Sequence, residues 1–86
     1  MKKYYGYVLV ADKEDKEKTI NTLKSNGGII KKGLREFILK KLAIMAAPPL
    51  YKGLIYDAVV FHCLSQEQVA TCIGKDILQN GGWKIL

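Results

Sequence analysis

Two glycine pairs punctuate this chain, Gly27-Gly28 and Gly81-Gly82, and each stands between a helix-forming stretch and a short apolar segment. Glycine enters the left-handed backbone region without steric cost, so such a pair ends a helix and redirects the chain. The repeat therefore predicts a unit used twice: a strand, a helix, a glycine stop, and a return into a strand. Ahead of the first stop, Tyr4 to Val10 is aromatic and β-branched and runs into the polar Ala11-Asp12-Lys13, which predicts a strand and a turn. Alternation places Tyr5, Tyr7 and Leu9 on one face and Tyr4, Val8 and Val10 on the other. Gly6 marks a close approach or a bulge. Acidic residues early in Asp12 to Lys18, followed by Ile20 and Leu23 at helical spacing, predict a helix from Glu14 to Asn26.

Ahead of the second stop, Leu54 to Leu64 reads as a strand through Ile55, Val59, Val60 and Phe61. Ser65 with Gln68 three residues on resembles a capping box. It opens a helix whose apolar positions are Val69, Ile73 and Ile77, with Ala70 and Leu78 beside them. Trp83 to Leu86 gives a short final strand, and Pro48 to Gly53 reads as a connecting loop.

The stretch Ile29 to Met45 reads two ways. Leu34, Phe37, Ile38, Leu42 and Met45 recur at three and four residues, as a helix face does. Against this, Gly27-Gly28 before Ile29-Ile30 looks like a helix-to-strand turn, and Gly33 interrupts a helix. A strand here would be long and bent, with a bulge near Glu36 or Phe37. Two element orders follow. One is strand, helix, strand, strand, helix, strand, the ferredoxin-like βαββαβ arrangement, with a four-stranded antiparallel sheet and two helices on one face. The other puts a helix in place of the second strand.

Composition bounds the rest. A chain of 86 residues, 49% hydrophobic, fits one modest core and therefore one domain, 1–86. The 14 lysines and arginines against 8 acidic residues leave a formal charge of +6, which favours a polyanionic partner. No apolar run approaches the roughly 20 residues a membrane span needs, which predicts a soluble chain without a membrane partner. The N-terminus enters a strand almost at once and carries neither a signal-peptide core nor a transit segment. Cys63 and Cys72 fit neither a zinc pair nor a Cys-x-x-Cys, and read as two reduced core thiols. His62 and Cys63, as strand neighbours, point to opposite faces and do not form a catalytic pair. With one His, one Arg and scattered carboxylates, the chain lacks the clustered groups that an enzyme, a metal or a small-molecule substrate requires.

The chain also resembles, along essentially its whole length, the bacterial-type ribosomal small-subunit protein six family, mitochondrial forms included. The residues that carry the likeness are Met1-Lys2-Lys3-Tyr4 at the start, Gly27-Gly28-Ile29-Ile30 after the first helix and Gly53 before the third strand. Most specific is Leu39-Lys40-Lys41-Leu42-Ala43-Ile44, similar to the family's Leu-Arg-Arg-Leu-Ala-Tyr run in its second strand. The chain departs from the family at Tyr5, Ile44 and Met45 and has no charged tail after the last strand. The resemblance implies the ferredoxin-like order, with Ile29 to Met45 as strand. It also implies a protein without enzymatic activity or cofactor on the platform of the small ribosomal subunit, binding small-subunit ribosomal RNA beside ribosomal protein eighteen. The divergence points to a mitochondrial ribosome, with a bacterial or plastid one as the alternative. Lys2, Lys3, Lys40, Lys41 and Lys52 are the expected RNA contacts, since phosphate binding needs cations on a rigid surface rather than a base-reading motif. A sheet face of stacking aromatics is not expected, because Tyr56 to Phe61 lacks the Gly-Phe-rich signature of RNA-recognition motifs, and the tyrosines read as core or protein interface. The competing reading is a ferredoxin-like regulatory module that dimerises through its sheet.

Overall fold

The first strand, β1 (Tyr4–Val10), is the centre of the sheet rather than an edge, and its sequence explains why. Both of its faces are apolar, so both need cover. In the computed structural model, which describes residues 2–79 and 83–85, β1 pairs antiparallel with β2 (Asp57–Cys63) on one side and β3 (Trp83–Ile85) on the other. The order β2-β1-β3 gives a three-stranded sheet. Between β1 and β2 lie α1 (Lys13–Ser25), α2 (Leu34–Met45) and the single turn α3 (Pro49–Lys52). Following β2 comes α4 (Gln66–Gln79).

The helix boundaries follow local chemistry. Asp12, extended, accepts the Asp15 N–H at 2.7 Å and so satisfies one of the free donors of the α1 N-terminus. At the other end the Gly28 N–H bonds the Leu23 carbonyl and the Gly27 N–H that of Lys24, a Schellman stop made possible by φ +90° at Gly27. Ser65 caps α4 through the Gln68 N–H at 3.1 Å, but the capping box is only half made. The Gln68 side-chain amide donates instead to the Asn26 carbonyl and ties the start of α4 to the end of α1. Gly74, at φ +70° and ψ 168°, kinks α4 in a conformation essentially restricted to glycine. The Gly81-Gly82 stop lies outside the described residues, as do the Ile77 and Leu78 side chains.

Two cores sandwich the sheet. On one face α1 and α4 cover Val8, Val10, Val59, Phe61 and Cys63 with Leu23, Val69, Cys72 and Ile73. Gly6 lies in this layer as a close approach, for a Cβ there would stand 2.7 Å from Val69 Cγ1. On the other face Leu39, Ala43 and Ile44 of α2 cover Tyr5, Tyr7, Ala58 and Val60.

This architecture corrects the expected fold. The domain is α+β, but among the described residues the sheet has three strands rather than four and helices on both faces, so it is not the ferredoxin-like βαββαβ arrangement. The error lies in Ile29 to Met45. Ile29 makes one bridge to His62, the chain leaves the sheet through residues 30–33, and Leu34 to Met45 is helix. The three- and four-residue repeat was the correct local signal. Leu, Arg, Glu, Lys, Ala and Met are strong helix formers, and the apolar face made by Tyr5, Tyr7 and Val60 requires a covering layer that a fourth strand at the sheet edge could not supply. The expected loop Pro48 to Gly53 holds one helical turn, and the strand expected over Leu54 to Leu64 is confined to Asp57–Cys63.

Candidate functional site

Asp57 is the lone carboxylate of β2, at the start of a strand that is apolar from Ala58 to Phe61, and it organises the meeting point of both helical layers. Lys16 from α1 and Lys40 from α2 each approach it to 2.7 Å, one on each oxygen. Its Oδ1 also accepts the Ala58 N–H at 2.8 Å. Burial pushes the Asp57 carboxyl up, but the hydrogen bonds from Lys16, Lys40 and Ala58 outweigh it and hold it at about 2. The same bond to Asp57 raises Lys16 against the opposing pull of its own burial. The three charges therefore lock together, α1 to β2 to α2.

Beside this lock the outer edge of β2 opens into a slot of about 470 Å³. Asp57 to Val60 form its floor, α1 contributes Lys16 and Ile20, and α2 contributes Glu36, Phe37 and Lys40. The departing segment Ile30 to Gly33 is its remaining wall.

The expected RNA-binding lysines are dispersed. Lys40 is committed to Asp57. Lys41, one residue on along a helix and so about 100° away, is exposed with its ammonium 5.2 Å from the centre of the Phe37 ring. The pair is therefore not a two-lysine contact on a strand. Lys2 and Lys3 are exposed ahead of β1, Lys2 over the Tyr4 ring at 5.5 Å, and Lys52 ends α3 well away in sequence. What the sequence reading missed is Lys31. It stands two residues past the Ile29 to His62 bridge, while Lys3 stands one residue ahead of β1, and both charges bear on His62.

His62 is buried on the α2 face, its ring 5.6 Å from that of Tyr5. Burial first, then Lys3 and Lys31, lower its pKa, while Glu36 opposes them. Cys63 points into the opposite core, as alternation requires, and its Sγ lies 3.5 Å from Cys72 Sγ. Both thiols are free and buried, and burial together with the Cys72 hydrogen bond pushes Cys63 up to about 12. The tyrosines divide: Tyr5 and Tyr7 are core, Tyr4 is half-buried and Tyr56 is exposed. With α2 across it, that sheet face offers no stacking platform. Among the described residues no three His, Cys, Asp or Glu side chains group as metal ligands would, and no helix is long and apolar enough to cross a membrane.

No family model matches the chain, and neither a curated protein nor a solved structure matches it.

Proposed function

We propose that this protein is a non-catalytic RNA-binding component of a ribonucleoprotein, holding phosphates through cations at the His62 end of the sheet. The observation that carries the reading is that Lys3 and Lys31, 28 positions apart by their numbering, flank His62 and both bear on it electrostatically. Backbone pairing fixes both: Tyr4 lies opposite Cys63 and Ile29 opposite His62. Lys2 adds an exposed charge over the Tyr4 ring, and the net charge of +6 favours encounter with a polyanion. Cations beside a rigid sheet position a phosphate backbone without reading bases. Lysine suits that role, since it offers charge without the bidentate fork of arginine.

Placement on the small ribosomal subunit, with ribosomal protein eighteen, is the more specific form of this proposal. It leans on the resemblance, whose most specific run, Leu39 to Ile44, is helical here. Lys2, Lys3 and Lys31 support RNA binding independently of that run. The test is a salt series of binding to small-subunit ribosomal RNA, with and without ribosomal protein eighteen, for the native chain and a Lys2→Ala, Lys3→Ala, Lys31→Ala variant. The expected slope of log affinity against log salt falls by roughly 0.7 to 0.9 for each contact removed. An unchanged slope overturns these lysines as the RNA site. Binding that is indifferent to protein eighteen removes the ribosomal placement and keeps the RNA-binding reading.

A further inference from the structure

The bridge between Ile29 and His62 fixes which backbone groups of β2 face away from the sheet. The His62 N–H and C=O both bond Ile29, at 2.9 Å each, so they point to the outer edge. In an antiparallel ladder orientation alternates, and the N–H and C=O groups of Val60 and Ala58 point the same way. Had the chain continued along the edge, Lys31 would oppose Val60 and Gly33 would oppose Ala58. Instead Gly33 becomes the N-cap of α2 and its carbonyl accepts the Phe37 N–H at 3.0 Å. The Ala58 N–H is taken by Asp57. The Val60 N–H and C=O and the Ala58 C=O meet no protein hydrogen-bond partner among the described residues, although Val60 is only 6% exposed. Polar groups so placed cost free energy unless something pairs with them.

The slot of about 470 Å³ runs along these same groups. The four residues of its floor span roughly 13 Å at strand rise. Its two walls are helices on opposite faces of the sheet, with Ile20 on the α1 side and Phe37 on the α2 side. An entering strand would thus find apolar contact for alternate side chains above and below. Lysine 16 and 40 are held by Asp57, while Lys31 and Lys32 are exposed at the slot with Glu36 as the other carboxylate among its walls.

We propose that this edge takes an extended acidic peptide from another protein as an added antiparallel strand. Val60 exchanges both backbone hydrogen bonds with it, and its carboxylates meet Lys31 and Lys32. A peptide suits the edge better than a phosphate chain, because phosphate oxygens accept hydrogen bonds and leave the Val60 and Ala58 carbonyls without donors. A second copy of the chain suits it less, because edge-to-edge pairing would set Lys31 and Lys32 against their own counterparts in a protein of charge +6. The site shares Lys31 with the proposed RNA contacts but not Lys2 or Lys3, and it stands whether or not those two bind RNA.

The probe is a capped peptide of sequence Thr-Glu-Val-Glu-Thr, titrated into the full chain and followed by backbone amide NMR. The expected result is saturable shifts at Ala58, Val60 and Gly33 and slowed exchange of the Val60 amide. A Thr-Lys-Val-Lys-Thr peptide, and the acidic peptide against a Lys31→Glu, Lys32→Glu variant, are each expected to bind at least about tenfold more weakly. A form N-methylated at the central valine, which lacks the bond to the Val60 carbonyl, should not bind. Absence of shifts at Val60 with about 1 mM peptide, equal binding of the lysine peptide, or shifts confined to the outer face of α2 would each overturn the proposal. So would a homodimer whose interface protects Val60 in place of the peptide. Small-subunit RNA titrated in parallel reports on Lys2 and Lys3, and RNA-induced shifts centred on Val60 would assign the slot to nucleic acid instead. Loss of RNA binding with peptide binding intact would leave this proposal standing alone.

Discussion

Asp57 is gripped by two lysines from opposite faces of the sheet. Its carboxyl is depressed from an ordinary 3.8 to about 2, so the folded protein binds this proton less readily than the unfolded chain. The stability it confers is therefore present above pH 4 and is lost as pH falls toward 2, an effect on the order of 2 kcal/mol. His62 acts in the same direction in a higher window. Its pKa is also lowered, so it costs nothing above 6.5 and destabilises the fold as pH falls below that value. Chemical denaturation across pH should show both limbs. In Asp57→Asn the lower limb should flatten while the His62 limb persists; an unchanged lower limb would mean that the two lysines do not hold the carboxylate. Cys63 supports a second prediction. A buried thiol pushed up to about 12 carries almost no thiolate at neutral pH, so native protein should resist iodoacetamide and react at both cysteines once unfolded. Rapid labelling of the native chain, followed by mass spectrometry, would contradict the burial.

Among the elements, α2 is the unusual one, because its longest apolar stripe faces away from the protein. Ala43 is buried and Leu39 and Ile44 pack on the sheet, while Leu34, Ile38, Leu42 and Met45 are exposed, Leu34 to 77%. Leu34→Glu and Ile38→Glu should therefore change stability by no more than about 0.5 kcal/mol, whereas Leu39→Ala should cost on the order of 2 kcal/mol. Urea midpoints for the three variants test this directly, and comparable losses at all three would mean that α2 is rotated relative to the sheet. The kink in α4 makes a further prediction. Gly74→Ala forces a Cβ into φ +70° and should cost about 1–3 kcal/mol, although nothing lies within 4 Å to clash with it. A neutral result would show that the kink relaxes into regular helix.

For the molecule as a whole, the strand order sets a gradient of protection. β1 is paired on both sides and covered on both faces, so its amides should exchange most slowly. Phe61 faces β1 and Val60 faces the slot. The Val60 amide should therefore exchange faster than that of Phe61 in the free chain, despite nearly equal burial of the two residues. Equal protection would mean that the edge is already closed.

Much of this was legible residue by residue. The face alternation of β1, the helix expected over Glu14 to Asn26 with its glycine stop, and the opposite orientations of His62 and Cys63 all depend on neighbours within a few positions, where sterics and hydrogen-bond geometry leave few choices. Ile29 to Met45 was different. Its spacing said helix while its flanking glycines and its resemblance said strand, and the decision lay in which surface needed covering. Likewise nothing local marks Lys16 or Lys31 as special. Only a lone Asp57 entering an apolar strand hinted that cations must come to it, and which ones came depends on where α1 and α2 cross the sheet. The sequence by itself determined the helices and strands whose ends carry their own stop signals. The tertiary structure decided the second layer on the sheet, the charge lock at Asp57 and the open edge at Val60, because each arises from groups far apart in the chain that meet only when both faces of β1 are buried.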